Sequence, residues 1–387
     1  MSPASPRRRA AIVRRVTCDY QVPFYLALHD RLAAAGVALE VYSGAPWPGE
    51  ALTDSLDALP FGRRVRYRRL GAKAFWTPGL LTRLRGADLV VLEQANAQLV
   101  NYPLLLARAL RRLAGRPAPA LAWIGHGAHF NRAAPAPARD AWRRFWLRRA
   151  DRFFAYTARS ARAVAADGFP PDRVTVFDNT TDTAALAREA ARLTPEDDAR
   201  LRQALFGSAA DAPAGLFCGR LVPEMEIPVL LAALDRIRGA LPAFRAILIG
   251  DGPERPRVAA FCETRPWCAW VGKKTGLERV PYFRLARLML HPARAGLALQ
   301  DAFALGLPFA TTDNGRHSPE IEYLEPGVNG LLAPCDPAAF AAEAAALLAD
   351  PERLARLAAR ARASGALRTI DRMAGLFAAG VLASLDL

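Results

Sequence analysis

Residues 288–314 form a stretch able to hold an anion next to an acid. The apolar run Leu288-Met289-Leu290 stops at His291-Pro292, which predicts a buried strand closed by proline. Gly296 opens the next segment, and Leu297, Gln300, Asp301 and Ala304 fall at helical spacing on one face. Gly306 stops that helix, and residues 307–312 read as the next strand. Strand, glycine turn, helix, glycine and strand make one βαβ unit. The exposed N–H groups at such a helix start attract anions, phosphate above all. Asp301, about one turn into the helix, is placed to accept hydrogen bonds from a hydroxylated ligand held at the same end.

Such a unit needs a parallel sheet behind it, and the chain spells two. Residues 10–16, 37–42, 88–92, 121–124, 152–156 and 174–177 read as buried strands, separated by helical stretches at 26–35, 102–113 and 160–167. Residues 183–213 are polar and alanine-rich around Glu196-Asp197-Asp198 and read as helix plus interdomain linker. The alternation then restarts with strands at 215–218, 243–249 and 267–272 and helices at 227–241 and 281–286. Prolines open two further helices at 337–349 and 351–364, and a last helix spans 369–385. Alternating strands and helices predict parallel, doubly wound sheets.

Composition sets the limits. At 387 residues the chain exceeds one ordinary core and suits two α/β domains. A 52% hydrophobic and 23% charged composition is globular. No run of about 18 uncharged apolar residues occurs, so no transmembrane helix is expected. Arg14 and Arg15 interrupt the apolar run near the start, which reads as a first strand rather than a secretory signal, and the expected location is cytoplasmic. The five cysteines are scattered without a CxxC pair, so neither a disulfide framework nor a zinc site is indicated. Net charge is +15, which suits nucleic acid, an anionic membrane or phosphorylated substrates, with a compositional bias toward arginine as the plain alternative. No helix-turn-helix or RNA-binding signature supports nucleic acid. The clusters Arg63–Arg69 and Arg143–Arg149 concentrate charge in the first half, and the second interleaves arginines with Phe145 and Trp146, as a helix at a membrane interface would.

Several segments, in order, resemble the retaining glycosyltransferases of family 4 (glycosyl transferases group 1). Asp301-Ala302-Phe303-Ala304-Leu305-Gly306-Leu307-Pro308 resembles the family's acidic residue followed by Ala-x-Ala-x-Gly-x-Pro, with Pro292 and Gly296 before it. Phe217-Cys218-Gly219-Arg220-Leu221 resembles its strand and Gly-Arg-Leu, Gly250-Asp251-Gly252-Pro253 its glycine turn, and Val271-Gly272-Lys273 its segment beside the nucleotide base. Tyr20–Tyr25, Gly125-His126-Gly127, Val176–Asp182, Pro319–Leu324 and Gly327–Leu332 are similar to further family signatures. The resemblance covers most of residues 10–365.

It implies the α/β fold called GT-B, two Rossmann-like doubly wound domains facing a central cleft. The implied layout is an acceptor-side domain over 1–185, a nucleotide-sugar domain over 186–365, and a helix over 366–387 crossing back to the first domain. The implied reaction moves a sugar from a nucleotide-sugar to a hydroxyl of a glycan or lipid-linked acceptor, with retention, without metal and with no other cofactor. The family suggests His126 and Arg220 as catalytic, Arg220, Gly252, Val271, Gly272, Lys273, Ala295, Gly296, Leu297 and Asp301 as donor-binding, and Tyr20 on the acceptor side. Arg294, in the loop before Gly296, is a further donor-binding candidate, and Asp19, Glu93 and His129, at predicted strand ends, are weaker acceptor-side candidates. Expected partners are therefore the nucleotide-sugar, the acceptor and, as an open option, an anionic membrane at the inner face, but no nucleic acid.

The departures are specific. Family members place Lys five residues after the Arg, then Gly; here these are Met225 and Glu226. Many carry Glu eight residues before the helix acid, which is Ala293 here, and the helix acid itself is Asp301 where Glu is common. Lys273, Lys274 or Arg294 could supply the missing cation. A degenerate GT-B protein that binds a nucleotide-sugar or a partner without turnover is the alternative.

Overall fold

Near-continuous apolar strands run through both halves of the chain, as sheets covered on both faces require. The computed structural model describes residues 8–48, 50, 52–128, 130, 137–208 and 210–386. They fall into two units. One takes the chain up to Asn179 together with Ile370 onward, and the other is Thr180–Thr369.

The first unit contains β1 (Arg8–Val13), β2 (Val37–Ser43), β3 (Gly62–Arg64), β4 (Arg68–Leu70), β5 (Ala74–Trp76), β6 (Leu89–Glu93), β7 (Ala120–Gly125), β8 (Arg152–Ala155) and β9 (Val174–Val176). Seven of them pair in parallel in the order β3-β2-β1-β6-β7-β8-β9, and β4 and β5 form a separate antiparallel pair. From β1 the chain builds outward on one side through β2, then returns to lay β6 on the other. That reversal opens a crevice at the carboxyl ends of β1 and β6, where ligands of such sheets bind. Apolar side chains pack on both faces, one cluster around Leu28, Val41 and Phe177, the other around Val13, Val90 and Phe153. Helix Ile370–Leu385 belongs to the first cluster: Phe377 stacks on Phe154 at 4.1 Å and meets Phe24 and Phe177 edge-on.

The second unit contains β10 (Ala214–Cys218), β11 (Arg245–Ile249), β12 (Cys268–Trp270), β13 (Leu288–Leu290), β14 (Phe309–Thr312) and β15 (Gly330–Ala333). They form one parallel sheet in the order β12-β11-β10-β13-β14-β15, with its reversal between β10 and β13. Helix Ala298–Ala304 bridges β13 and β14 as the spacing predicts, and Gly306 ends it at φ 69°. Gly365 lets helix Pro351–Ala366 approach that helix closely, since a Cβ there would lie 2.6 Å from the Phe303 backbone.

Some expectations shift. β1 ends at Val13 rather than 16, because its pairing with β6 stops at Leu92 and the chain turns off the sheet edge. Residues 183–213 hold two helices, Thr183–Arg192 and Pro195–Phe206, the second started by a Thr194–Asp197 capping box and ended at Gly207. The first of these packs Leu186 against Val280 and Ala304, so the unit boundary lies at Asn179/Thr180 rather than 185/186. The final helix correspondingly joins the first unit from Ile370 rather than 366. β3, β4, β5 and β15 are too short to show as strands in the sequence, and β3 and β4 are arginine-rich as well.

Candidate functional site

In the second unit the carboxyl ends of β10, β11, β12 and β13 present the loops that hold most of the expected donor-binding residues. The Gly219-Arg220-Leu221 loop is held by its neighbour. Leu221 N–H donates to the Asp251 carbonyl at 2.9 Å, and Glu254 N–H donates back to the Leu221 carbonyl at 2.9 Å. Gly250 (φ 154°) and Gly252 (φ 152°) are required by this contact: a Cβ would lie 2.0 Å from the Gly219 oxygen and 2.4 Å from that of Leu221. Gly252, expected among the donor contacts, also holds the loop carrying Arg220. Arg220 itself is exposed.

Arg294 stands in the loop after β13, partly buried, with Nε and Nη2 each 3.4 Å from Ser318 Oγ. Burial lowers its pKa first, and the nearby charge of Arg220 lowers it further, against Glu320 and Glu224. Arg220 and Arg294 follow β10 and β13, adjacent strands of the sheet, and each guanidinium is a fork of donors suited to a polyanion. Ala295, expected among the donor contacts, is wholly buried and donates its N–H to His317 Nδ1 at 3.0 Å, so it anchors the loop from within the core. Gly296 and Leu297 come next, both partly exposed. Val271, Gly272 and the exposed Lys273 extend from β12 at the sheet edge, with Gly272 at φ 71°.

Asp301 is 3% exposed. Thr181 donates to its Oδ1 at 2.8 Å and Arg279 to its Oδ2 at 2.6 Å, so each carboxylate oxygen has a partner inside the unit. Arg279 also interacts with Cys218 at the end of β10, whose thiol is pushed up to about 11 by burial.

The departures have structural answers. Met225 packs against the hydrophobic core, so its side chain is spent there. Glu226 sits in the left-handed region (φ 48°, ψ 47°) and is paired with Arg316, so its charge is compensated. Ala293 is buried and its carbonyl accepts from Thr311 Oγ1 at 3.2 Å.

In the first unit four adjacent strands bring residues to one edge. Arg14 follows β1, Glu93 ends β6, His126 follows β7 and Tyr156 follows β8. Arg14 is buried, donates to Tyr156 Oη at 3.0 Å and lies 3.6 Å from Glu93 Oε1, while Glu93 Oε2 accepts from Arg15 N–H at 3.0 Å. Burial works against the Arg14 charge; Glu93 and the surrounding hydroxyls more than offset it, and its pKa is raised. His126 is exposed, its ring 4.6 Å from that of Tyr156. Asp19 opens a short turn and accepts from Tyr20 N–H at 2.9 Å, and Tyr20 is exposed. His129 lies outside the described residues. Among the described residues no three His, Cys, Asp or Glu side chains are placed to hold a metal ion.

Arg14, Tyr156, Arg279 and Thr181 escape sequence reasoning. Tyr156 ends a predicted strand, a signal that could have found it, whereas Arg14 falls inside the predicted strand 10–16 and emerges at a strand end only because β1 stops at Val13. Arg279 is one arginine among many, and only the fold brings it to Asp301.

Residues 24–185 match the model of Glycosyltransferase Family 4, and residues 212–350 that of Glycosyl transferases group 1. A D-inositol 3-phosphate glycosyltransferase of Thermobispora bispora is 31% identical over 229 residues, which is 55% of this chain and 51% of that protein. The match therefore spans about half the length of that relative. Among solved structures, Anabaena HepE in complex with UDP-glucose aligns over 97% of this chain and 99% of its own, at TM-score 0.68 and 18% identity. Sucrose-phosphate synthase from Thermosynechococcus elongatus aligns over 97% and 100%, at TM-score 0.67 and 17% identity. These likenesses establish the fold.

Proposed function

The chain belongs to the group 1 glycosyl transferases of family 4, and from that premise we propose that it moves a sugar from a nucleotide-sugar to a hydroxyl of a glycan or lipid-linked acceptor, with retention and without metal. The observation that carries this reading is that Arg220 and Arg294 stand on the loops that follow β10 and β13, neighbouring strands of the second sheet. The pair supplies two cations for a diphosphate leaving group, which offsets the loss of the family lysine at Met225. Arg316 removes the objection raised by Glu226. HepE is described with UDP-glucose, so UDP-sugars are the first donors to try. In the first unit His126, Glu93, Asp19 and Tyr20 form the acceptor side, with Arg14 fixing Tyr156 behind His126.

A binding-only reading is favoured by three observations: Asp301 is paired with Arg279 and Thr181, Met225 packs against the core, and Ala293 is buried. The two readings part on turnover. Thermal stability and hydrolysis would be followed against UDP-, GDP-, dTDP- and ADP-sugars. The enzyme reading expects a Tm shift with one of them and slow release of its sugar to water. Arg294→Ala and Arg220→Ala should each cut affinity for that donor about 100-fold. Binding without any sugar release or transfer supports the alternative, and unaltered binding in both variants would show that the arginine pair does not hold the diphosphate.

A peripheral seat on an anionic membrane completes the reading. Tyr102 joins the exposed Leu106, Leu110 and Leu113 of helix Asn101–Leu113 to the exposed Trp142 and Phe145 of helix Pro137–Leu147 through the Trp142 Nε1 to Tyr102 Oη bond of 2.9 Å. Arg111, Arg112, Arg148 and Arg149 flank them, exposed. Sedimentation with anionic but not neutral vesicles is the expected result; sedimentation with neither would refute it. Among the described residues no helix is long and apolar enough to cross a membrane.

A further inference from the structure

Cys262 and Cys268 meet although nothing in their spacing announces it. Cys262 lies in the last turn of helix Arg255–Glu263, and Cys268 opens β12. The residues between form a tight turn, with Arg265 N–H donating to the Cys262 carbonyl at 3.0 Å and Cys268 N–H to the Arg265 carbonyl at 2.9 Å. This brings the two Sγ atoms to 3.2 Å, both as free thiols. Bonded sulfurs stand about 2.05 Å apart, so closing the gap is a matter of small side-chain rotations.

The two thiols differ. Cys262 is half-buried, whereas Cys268 is buried at 5% exposure. Arg265, fixed by Asp235 at 2.7 and 3.0 Å and lying over the Phe261 ring at 3.9 Å, sets a positive charge beside them. The hydrogen bond from Cys268 and then the Arg265 charge hold Cys262 below the usual thiol range, against burial, while that same bond and burial push Cys268 up. Elsewhere burial pushes the Cys18 and Cys218 thiols up. Cys262 thus has the features of an attacking thiolate, and Cys268 those of a thiol waiting to resolve it.

We propose that Cys262 and Cys268 form a modification site, a dithiol that a hydroperoxide converts to a reversible intrachain disulfide. The Cys262 thiolate attacks the peroxide O–O bond, forming an S–O bond and releasing hydroxide or alkoxide. The Cys268 sulfur then attacks the resulting sulfenic sulfur; the S–S bond forms, the S–O bond breaks, and the departing hydroxide takes the Cys268 proton as water. Two electrons pass from the two thiols to the peroxide. The product ties the end of a helix to the edge strand that leads directly into Val271-Gly272-Lys273, so the donor-side edge of the sheet becomes stiffer in the oxidised state.

The test uses the full reduced chain. Brief exposure to hydrogen peroxide should lower the thiol count of the denatured protein from five to three, and a peptide map should show residues 262 and 268 joined, lighter by two hydrogens and restored by dithiothreitol. Cys268→Ser should accumulate a sulfenic acid at Cys262 that dimedone traps, and Cys262→Ser should leave Cys268 unmodified. Five thiols remaining after peroxide, or oxidation falling on the exposed Cys335 while the pair stays reduced, would overturn the proposal. Should either serine variant fail to fold, the wild-type peptide map decides by itself.

Discussion

Arg279 donates to Asp301 at 2.6 Å, pairing the expected donor acid with a neighbour in its own unit. The side chains are 18% and 4% exposed, and Thr181 holds the other carboxylate oxygen. Removing one member of a buried pair strands the other, at a cost of about 3–5 kcal/mol. Arg279→Ala should therefore lower stability by about that amount in urea unfolding. Adding Asp301→Ala should recover part of the loss, since the uncompensated carboxylate is gone. A double variant as unstable as the sum of the two single ones would mean the pair is not coupled.

Glu226 holds a left-handed backbone at a place where the family carries glycine. A non-glycine residue there costs about 1 kcal/mol. Its compensation is the ion pair with Arg316, whose side chain is 50% exposed, and pairs of that kind contribute about 0–1 kcal/mol. Glu226→Gly should thus leave stability unchanged or raise it by up to about 1 kcal/mol. Donor affinity should stay close to wild type, because Arg316 already offsets the charge. A marked gain in affinity would show that Glu226 repels the diphosphate after all.

The two parallel sheets were legible because buried parallel strands are apolar runs, and runs such as Leu216-Phe217-Cys218 and Leu89–Leu92 cannot serve another purpose. The βαβ unit around Gly296 was legible from Gly306 and the helical spacing alone. What stayed hidden depends on distance in sequence. Arg279 and Asp301 stand 22 residues apart, Thr181 and Asp301 120 apart, and neither partner carries a local signature. Ala295 and Gly252 illustrate a different limit. Motif order singles them out but says nothing of their surroundings: Ala295 is buried in the core, and Gly252 must be glycine because a carbonyl presses on it.

That carbonyl makes a sharp prediction. At Gly252 any Cβ would lie 2.4 Å from the Leu221 oxygen, and φ is 152°, a backbone few L-residues adopt. Gly252→Ala must push the 219–221 loop aside, with a loss of about 2 kcal/mol or more in stability. Because that loop carries Arg220, donor affinity should fall with it. A stable variant with normal donor binding would show that the loop is not held by this contact.

His291 gives the pH dependence a sign. Its ring lies between Phe217 and Phe309, with centroids at 5.0 and 5.6 Å, and it is 2% exposed. Burial lowers its pKa to about 4, with His317 adding to the shift. The unfolded chain takes up this proton below about 6.5, whereas the folded chain resists it until about 4. The unfolded state therefore binds more protons in that window, and stability falls as the pH drops from 6.5 toward 4. The contribution is complete above 6.5, is lost below 4, and amounts to about 3 kcal/mol. His291→Leu should flatten the stability curve of the wild type between pH 6.5 and 4 by this amount, measured by urea unfolding at each pH. Parallel curves for the two proteins would mean that the imidazole titrates normally in the folded chain.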